Sequence, residues 1–186
     1  MRRLAPILLL ATLAGPARAA AEWEVKDGGV TVEAHADDRG RGVVRADIEI
    51  GAPPAVVFRT ILDCDRAPRM NPGVKRCRVV ARSADGTEIR EHAVKWSFFF
   101  PTLHSTSRVV LEPDRSIRFT CIGGDIRACE GAWTLEPLDG GRRTRVTYDL
   151  WATAPFAVPA GLVSKLMRRD VPNSLRALRR ECEANG

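Results

Sequence analysis

The feature that most constrains this chain is its C-terminal stretch, in which Val163, Met167, Val171, Leu175, Leu178 and Cys182 recur at helical spacing and form one apolar stripe. Leu166 flanks the stripe, while Lys165, Arg168, Arg169, Arg176, Arg179 and Arg180 gather on the opposite side. A long helix with a single apolar face must lie on a large apolar surface. Pro172 stands in the middle of this helix, where it removes a backbone donor and crowds the preceding turn. The helix is therefore expected to kink or restart there, with Pro172 facing outward beside Arg179, as a hinge between two halves of a cover.

What the helix covers is written upstream as alternation. Val30 to Ala36 and Val43 to Ile50 alternate apolar and polar residues around Asp38-Arg39-Gly40-Arg41-Gly42, which predicts a hairpin. Glu22 to Gly29 reads as a polar lead-in carrying one aromatic. Gly51-Ala52-Pro53-Pro54 breaks the second strand, and the prolines suit a first helical turn before Val56, Val57, Thr60, Ile61 and Cys64. A short irregular helix or loop follows and closes at Asn71-Pro72-Gly73.

From Val74 onward strands are separated by turn residues: 74–83, 87–100, 103–112, 116–122, 127–136 and 143–153. Val94, Trp96 and Phe98 share one face, as do Ile117, Phe119 and Cys121, then Gly131, Trp133 and Leu135, then Val146, Tyr148 and Leu150. One face of the sheet is apolar and rich in aromatics, and the other is wet. The class is therefore α+β: a curved antiparallel sheet of about seven to eight strands, two short helices after the first hairpin, and the C-terminal helix as cover.

The N-terminus belongs to a different category. Arg2 and Arg3, the apolar run Leu4 to Ala14, and Ala17-Arg18-Ala19 have the form of a cleavable export signal over residues 1–19, with the run too short to span a bilayer. The working chain is then a single domain over 20–186, periplasmic or secreted. Loss of Arg2, Arg3 and Arg18 takes three positive charges from the net +6 and leaves +3, too small a balance to point to nucleic acid. Outside the cytoplasm the five cysteines can pair. Cys121 and Cys129 flank the Gly123-Gly124-Asp125 turn and are the first pair expected, with Cys64 and Cys77 as a further pair. The alternative is that all five are reduced and packed as small hydrophobes.

The order hairpin, helix, antiparallel meander, long C-terminal helix resembles the helix-grip fold of the START and Bet v 1-like superfamily across essentially the whole of 20–186. Three phrases carry the resemblance. Trp23-Glu24-Val25-Lys26-Asp27-Gly28-Gly29-Val30 looks like the opening of START domains. Residues 63–74, from Asp63-Cys64-Asp65-Arg66 to Asn71-Pro72-Gly73-Val74, are similar to the helix-to-strand passage of bacterial START-like, coenzyme Q-binding-type and polyketide cyclase-type members. Gly131-Ala132-Trp133-Thr134-Leu135-Glu136-Pro137 followed by Thr144 to Tyr148 and Val158-Pro159 is START-like again. The resemblance implies a cavity between sheet and helix for a lipid or other hydrophobic molecule. The superfamily also includes cyclases and chaperone activators, so the fold does not fix the activity. The charged pair that some sterol-binding members place in the cavity is not recognised in this sequence.

On that reading the ligand-binding residues are Trp96, Phe98, Phe119, Trp133, Tyr148, Val163, Met167, Val171 and His92. Each has a plainer alternative: the aromatics can simply fill a core, and a lone histidine is commonly structural. Tyr148 stands out because a buried hydroxyl needs a partner, which a ligand's polar head can supply. The sequence has no nucleophile elbow, no metal-ligand spacing and no phosphate loop, so no catalytic residue, metal or cofactor is expected. The expected partners are a hydrophobic small molecule or lipid and, transiently, a membrane surface met by the basic side of the last helix. A cyclase or aromatase using His92, Tyr148 or an arginine as acid–base groups remains the enzymatic alternative, and a ligand-free interaction module the third.

Overall fold

The computed structural model describes residues 23–39, 41–95, 101–126, 128–153 and 160–184, with the backbone alone over 23–27 and 160–168. The export signal expected at 1–19 lies outside the described residues, as do Trp96 and Phe98.

The chain order is β1 (Trp23–Asp27), β2 (Val30–Ala36), β3 (Gly42–Ile50), α1 (Pro54–Leu62), α2 (Ala67–Met70), β4 (Val74–Arg82), β5 (Glu88–Val94), β6 (Leu103–Glu112), β7 (Ser116–Gly124), β8 (Cys129–Leu138), β9 (Arg143–Ala152) and α3 (Ala160–Glu183). All nine strands form one sheet in the order β1-β2-β3-β9-β8-β7-β6-β5-β4. Each pair is antiparallel. The two short helices fill the connection between β3 and β4, and α3 lies across the apolar face of the sheet.

The strand beyond the expected seven to eight is β1. Its apolar alternation is too sparse to announce a strand, but Gly28 and Gly29 both adopt positive φ (56° and 74°) and close a two-residue hairpin turn with Asp27 opposite Val30. Such a turn needs φ > 0 at both central positions, which glycine supplies without strain.

This hairpin also changes how α3 sits. Pro172 is fully buried, not outward-facing. One turn further on, the Arg176 side chain lies against Gly28, and Arg179 donates to the Gly28 and Gly29 carbonyls at 3.2 and 3.5 Å. The side of the helix that a wheel assigns to solvent is thus partly enclosed by the sheet's first turn. The helix does not restart at the proline: α3 is continuous from Ala160 to Glu183.

The core gathers where β2, β3, β9 and β8 meet α1 and the second half of α3. Val30, Val32, Ala46, Ile48, Ile50, Val146 and Leu135 from the sheet enclose Val57 and Phe58 of α1 with Leu175, Leu178 and Cys182 of α3. Full burial of side chains of this kind stabilises the fold by about 1.5–3 kcal/mol each. Pro53 and Pro54 open α1 as expected, and Thr144 of β9 ties the chain before it by donating to the Ala52 carbonyl at 2.7 Å. Disulfides join Cys64 to Cys77 and Cys121 to Cys129, with Cα–Cα separations of 5.1 and 5.0 Å, and Cys182 is the free thiol. The first anchors the α1–α2 connection to β4, and the second closes the β7–β8 hairpin.

Candidate ligand-binding site

Strand register fixes which side chains share the face beneath α3. Phe119 stands opposite Gly131, Ile117 opposite Trp133, and Trp133 opposite Tyr148. The rings form a cluster: Trp133 and Tyr148 have centroids 4.3 Å apart, and Phe119 and Tyr148 are stacked at 6.4 Å. Gly131 makes the cluster possible, because a Cβ there would collide with the Phe119 ring and lie 2.6 Å from the Asp149 carbonyl oxygen. The glycine therefore leaves the place that the phenylalanine ring occupies.

Tyr148 is the polar member of the cluster. Burial pushes its hydroxyl pKa well above the ordinary phenol value. Yet its side chain, like those of Phe119 and Trp133, is only partly covered, while the neighbouring Val146, Leu135 and Ile117 are buried. These three rings are therefore less tightly enclosed than the core beside them. Among the described residues the hydroxyl has no hydrogen-bond partner, and it keeps some accessible surface.

A second, polar region lies on the same face at the β4–β5–β6 side. Glu88, Arg90, His92 and Val94 alternate with Ile89, Glu91 and Ala93, and their cross-strand partners are Val109, Ser107, Ser105 and Leu103. Glu88 and Arg90 are a buried ion pair at 2.7 Å, 2 % and 6 % exposed. Arg82 donates twice to the other Glu88 oxygen, at 2.8 and 2.6 Å, and Arg90 donates to the Leu62 carbonyl at the end of α1 at 2.9 Å. Burial works against the Glu88 charge, but the hydrogen bonds from Arg82 and Arg90 outweigh it and hold the carboxyl below its usual range. His92, beyond the pair, is pushed below the ordinary histidine value by burial first and by Arg90 second, so its ring is neutral near pH 7.

The expected residues therefore divide. Phe119, Trp133 and Tyr148 are brought together, Val171 packs partly buried against the core, and His92 reaches the same face four strands away from Tyr148. Val163 and Met167 belong to α3, with side chains outside the described set. Glu88 and Arg90 were overlooked. The period-two pattern from Glu88 to Val94 already places them beside His92, but two charged residues on an inward face are read as solvent-facing unless their mutual neutralisation is foreseen.

A recess among the described residues lies elsewhere. It is an open cleft of about 560 Å³ edged by Thr31, Asp47, Glu49, Arg143, Arg145, Arg179 and Glu183. Its Glu49 is already paired with Arg143 and Arg145. No group of His, Cys, Asp and Glu among the described residues could hold a metal ion.

A curved antiparallel sheet gripping a C-terminal helix over an aromatic-lined interior defines the helix-grip class of hydrophobic-ligand-binding proteins. Residues 50–179 match the family described as polyketide cyclase / dehydrase and lipid transport, and the chain belongs to it. Among solved structures it is similar to a protein of Thermus thermophilus, at 26% identity and TM-score 0.63, covering 76% of this chain and 97% of that one. A STAR-related lipid transfer protein from Xanthomonas axonopodis has the same fold, at 18% identity and TM-score 0.68 over 87% and 98% of the two chains. So does the Zhui aromatase/cyclase of Streptomyces, at 17% identity and TM-score 0.64 over 78% and 99%. No curated protein matches the chain.

Proposed function

We propose that this protein is an exported, non-enzymatic carrier that holds a lipid or similar hydrophobic molecule between the sheet and α3. The observation that carries this reading is Tyr148: a half-buried hydroxyl set among aromatic rings and without a hydrogen-bond partner among the described residues. Such a hydroxyl in an aromatic recess is suited to an uncharged ligand oxygen, with Phe119 and Trp133 supplying apolar contact at about 25 cal/mol per Å² covered. Glu88 compensates the buried Arg90, Arg82 carries its charge at the exposed edge, and His92 is neutral, so the buried part of the described wall offers no uncompensated charge to an ionic ligand. A lipid transfer protein and an aromatase/cyclase both occur among proteins of this fold, so the fold leaves the choice between carriage and catalysis to the site.

Separation favours carriage. His92 and Tyr148 lie on β5 and β9, four strand spacings apart, or about 19 Å measured along the sheet. Acid–base chemistry needs its groups within hydrogen-bond reach of one reacting centre. Export rests on the Arg2–Ala19 pattern, and a chain recovered from the periplasm of an expression host is expected to begin near Ala20.

The test is native mass spectrometry of protein purified without detergent, followed by titration with neutral lipids, sterols and quinones. One bound molecule per chain, displaced by members of that panel, is the expected result. A chain that arrives empty and binds none of them refutes the carrier reading. Turnover of a polyketide-like substrate abolished by His92→Ala would replace it with the enzymatic one.

A further inference from the structure

The outer face of the sheet is built in two unlike halves. Across β3, β8 and β9 its charges are laced together: Arg45 with Asp149, Arg145 with Glu136 and Glu49, and Arg143 with Glu49 and Asp139. Across β4 to β7 the pattern differs. Arg76, Arg108 and Arg118 are exposed, and among the described residues their side chains have neither ion pair nor hydrogen bond. Their acidic neighbours are three: Glu91 is held by Arg78 at 2.6 Å, Glu112 at the end of β6 accepts from the Ser116 hydroxyl at 2.8 Å, and Glu130 stands on the adjoining β8 opposite Thr120.

This half also carries all three of the large exposed hydrophobics among the described residues: Val80 on β4, Val110 on β6 and Ile122 on β7. Register interleaves them with the arginines. Val110 is directly opposite Arg118, and Arg108 is opposite Thr120, two residues before Ile122. Isolated exposed aliphatics are ordinary, but aliphatics and uncompensated arginines confined to one quadrant form a surface with two matched properties.

We propose that this β4–β7 outer face is a docking surface for an anionic lipid bilayer, its arginines meeting headgroup phosphates while Val80, Val110 and Ile122 enter the interfacial layer. On the basic side of α3, by contrast, Arg176 and Arg179 are drawn onto the Gly28–Gly29 turn. A bilayer fits better than the alternatives. Protein hot spots are anchored by aromatic side chains, and single-stranded nucleic acid needs aromatic stacking platforms. The described residues of this patch include neither. A lipid surface requires only basic groups with modest aliphatic insertion. The face lies on the opposite side of the sheet from the site under α3, so docking and ligand binding are separable.

The experiment is co-sedimentation with vesicles of phosphatidylcholine alone and of phosphatidylcholine with about one-third phosphatidylglycerol, at low and high salt. Binding to the anionic vesicles alone, weakened by salt, is expected. Arg108→Gln/Arg118→Gln should lower partitioning about thirty-fold, from the strength with which each basic side chain is held at an anionic surface. The control Arg45→Gln/Arg145→Gln removes the same net charge from the ion-paired half and should change it less than about two-fold. Val110→Asn/Ile122→Ser should lower the binding that persists at high salt. Urea midpoints measured alongside confirm that each variant is folded. Equal losses in the two arginine doubles, or equal binding to both vesicle types, would overturn the proposal. So would capture by a polyglutamate peptide with no vesicle binding, which would assign the face to an acidic protein.

Discussion

Tyr148→Phe separates a ligand-facing hydroxyl from a structural one, because the two roles predict opposite signs. A buried hydroxyl bonded to another protein group contributes about 0.5–1.5 kcal/mol, and its removal also strands that partner. The Tyr148 hydroxyl has no such partner among the described residues, and burial alone raises its pKa. Leaving a polar group desolvated and unpaired costs about 1–3 kcal/mol. Because Tyr148 keeps some accessible surface, the lower end applies, and Tyr148→Phe should stabilise the ligand-free protein by about 1 kcal/mol. Ligand affinity should fall instead, by about two- to thirteen-fold for the loss of one neutral hydrogen bond.

The assay is urea denaturation of ligand-stripped protein with disulfides intact, paired with a ligand titration. The pH dependence provides a second readout. With the folded-state pKa raised, the unfolded chain loses its phenolic proton first, so wild-type stability should fall as pH rises above about 10. That alkaline slope should be shallower in Tyr148→Phe. A loss of 1 kcal/mol or more in the ligand-free variant would refute the reasoning, since it would require an internal partner for the hydroxyl. Unchanged ligand affinity would refute it equally.

Other substitutions probe the surroundings. Glu88→Gln leaves Arg90 buried without its counter-charge and should destabilise by about 3–5 kcal/mol in urea denaturation, far more than an exposed pair would. Gly131→Ala puts a methyl group against the Phe119 ring and the Asp149 carbonyl. It should cost about 1–3 kcal/mol and weaken ligand binding with it, whereas an unchanged urea midpoint would mean that the ring has room to move. His92 has its pKa lowered by burial and by Arg90, so the unfolded chain takes up a proton that the folded chain refuses as pH falls below about 6.5. The acid side of the stability profile should therefore flatten between about pH 6.5 and 5 in His92→Gln; an unaltered profile would show the ring to be solvated.

Much of this fold is legible in the chain because its signals are local. Alternation identified the strands that bury Ile48, Ile117, Leu135 and Val146, prolines marked the start of α1, and the stripe from Val171 to Cys182 marked α3. β1 is the strand that escaped, since Trp23 to Asp27 alternates weakly and its place depends on pairing with β2. Pro172 was misplaced for a related reason. A helical wheel knows one sheet face, whereas the β1–β2 turn also reaches round to Arg176 and Arg179.

For the site, the sequence by itself determined which residues face inward: Phe119, Trp133, Tyr148 and His92 follow from period two. It did not determine what those residues do there. Only the tertiary structure decided that Glu88 and Arg90 neutralise each other beneath the end of α1, that Gly131 makes way for Phe119, and that the Tyr148 hydroxyl is desolvated without an internal partner among the described residues. The physical reason is range. Side-chain direction along a strand is set by neighbouring backbone geometry, whereas desolvation, charge compensation and empty space depend on groups brought together from distant parts of the chain.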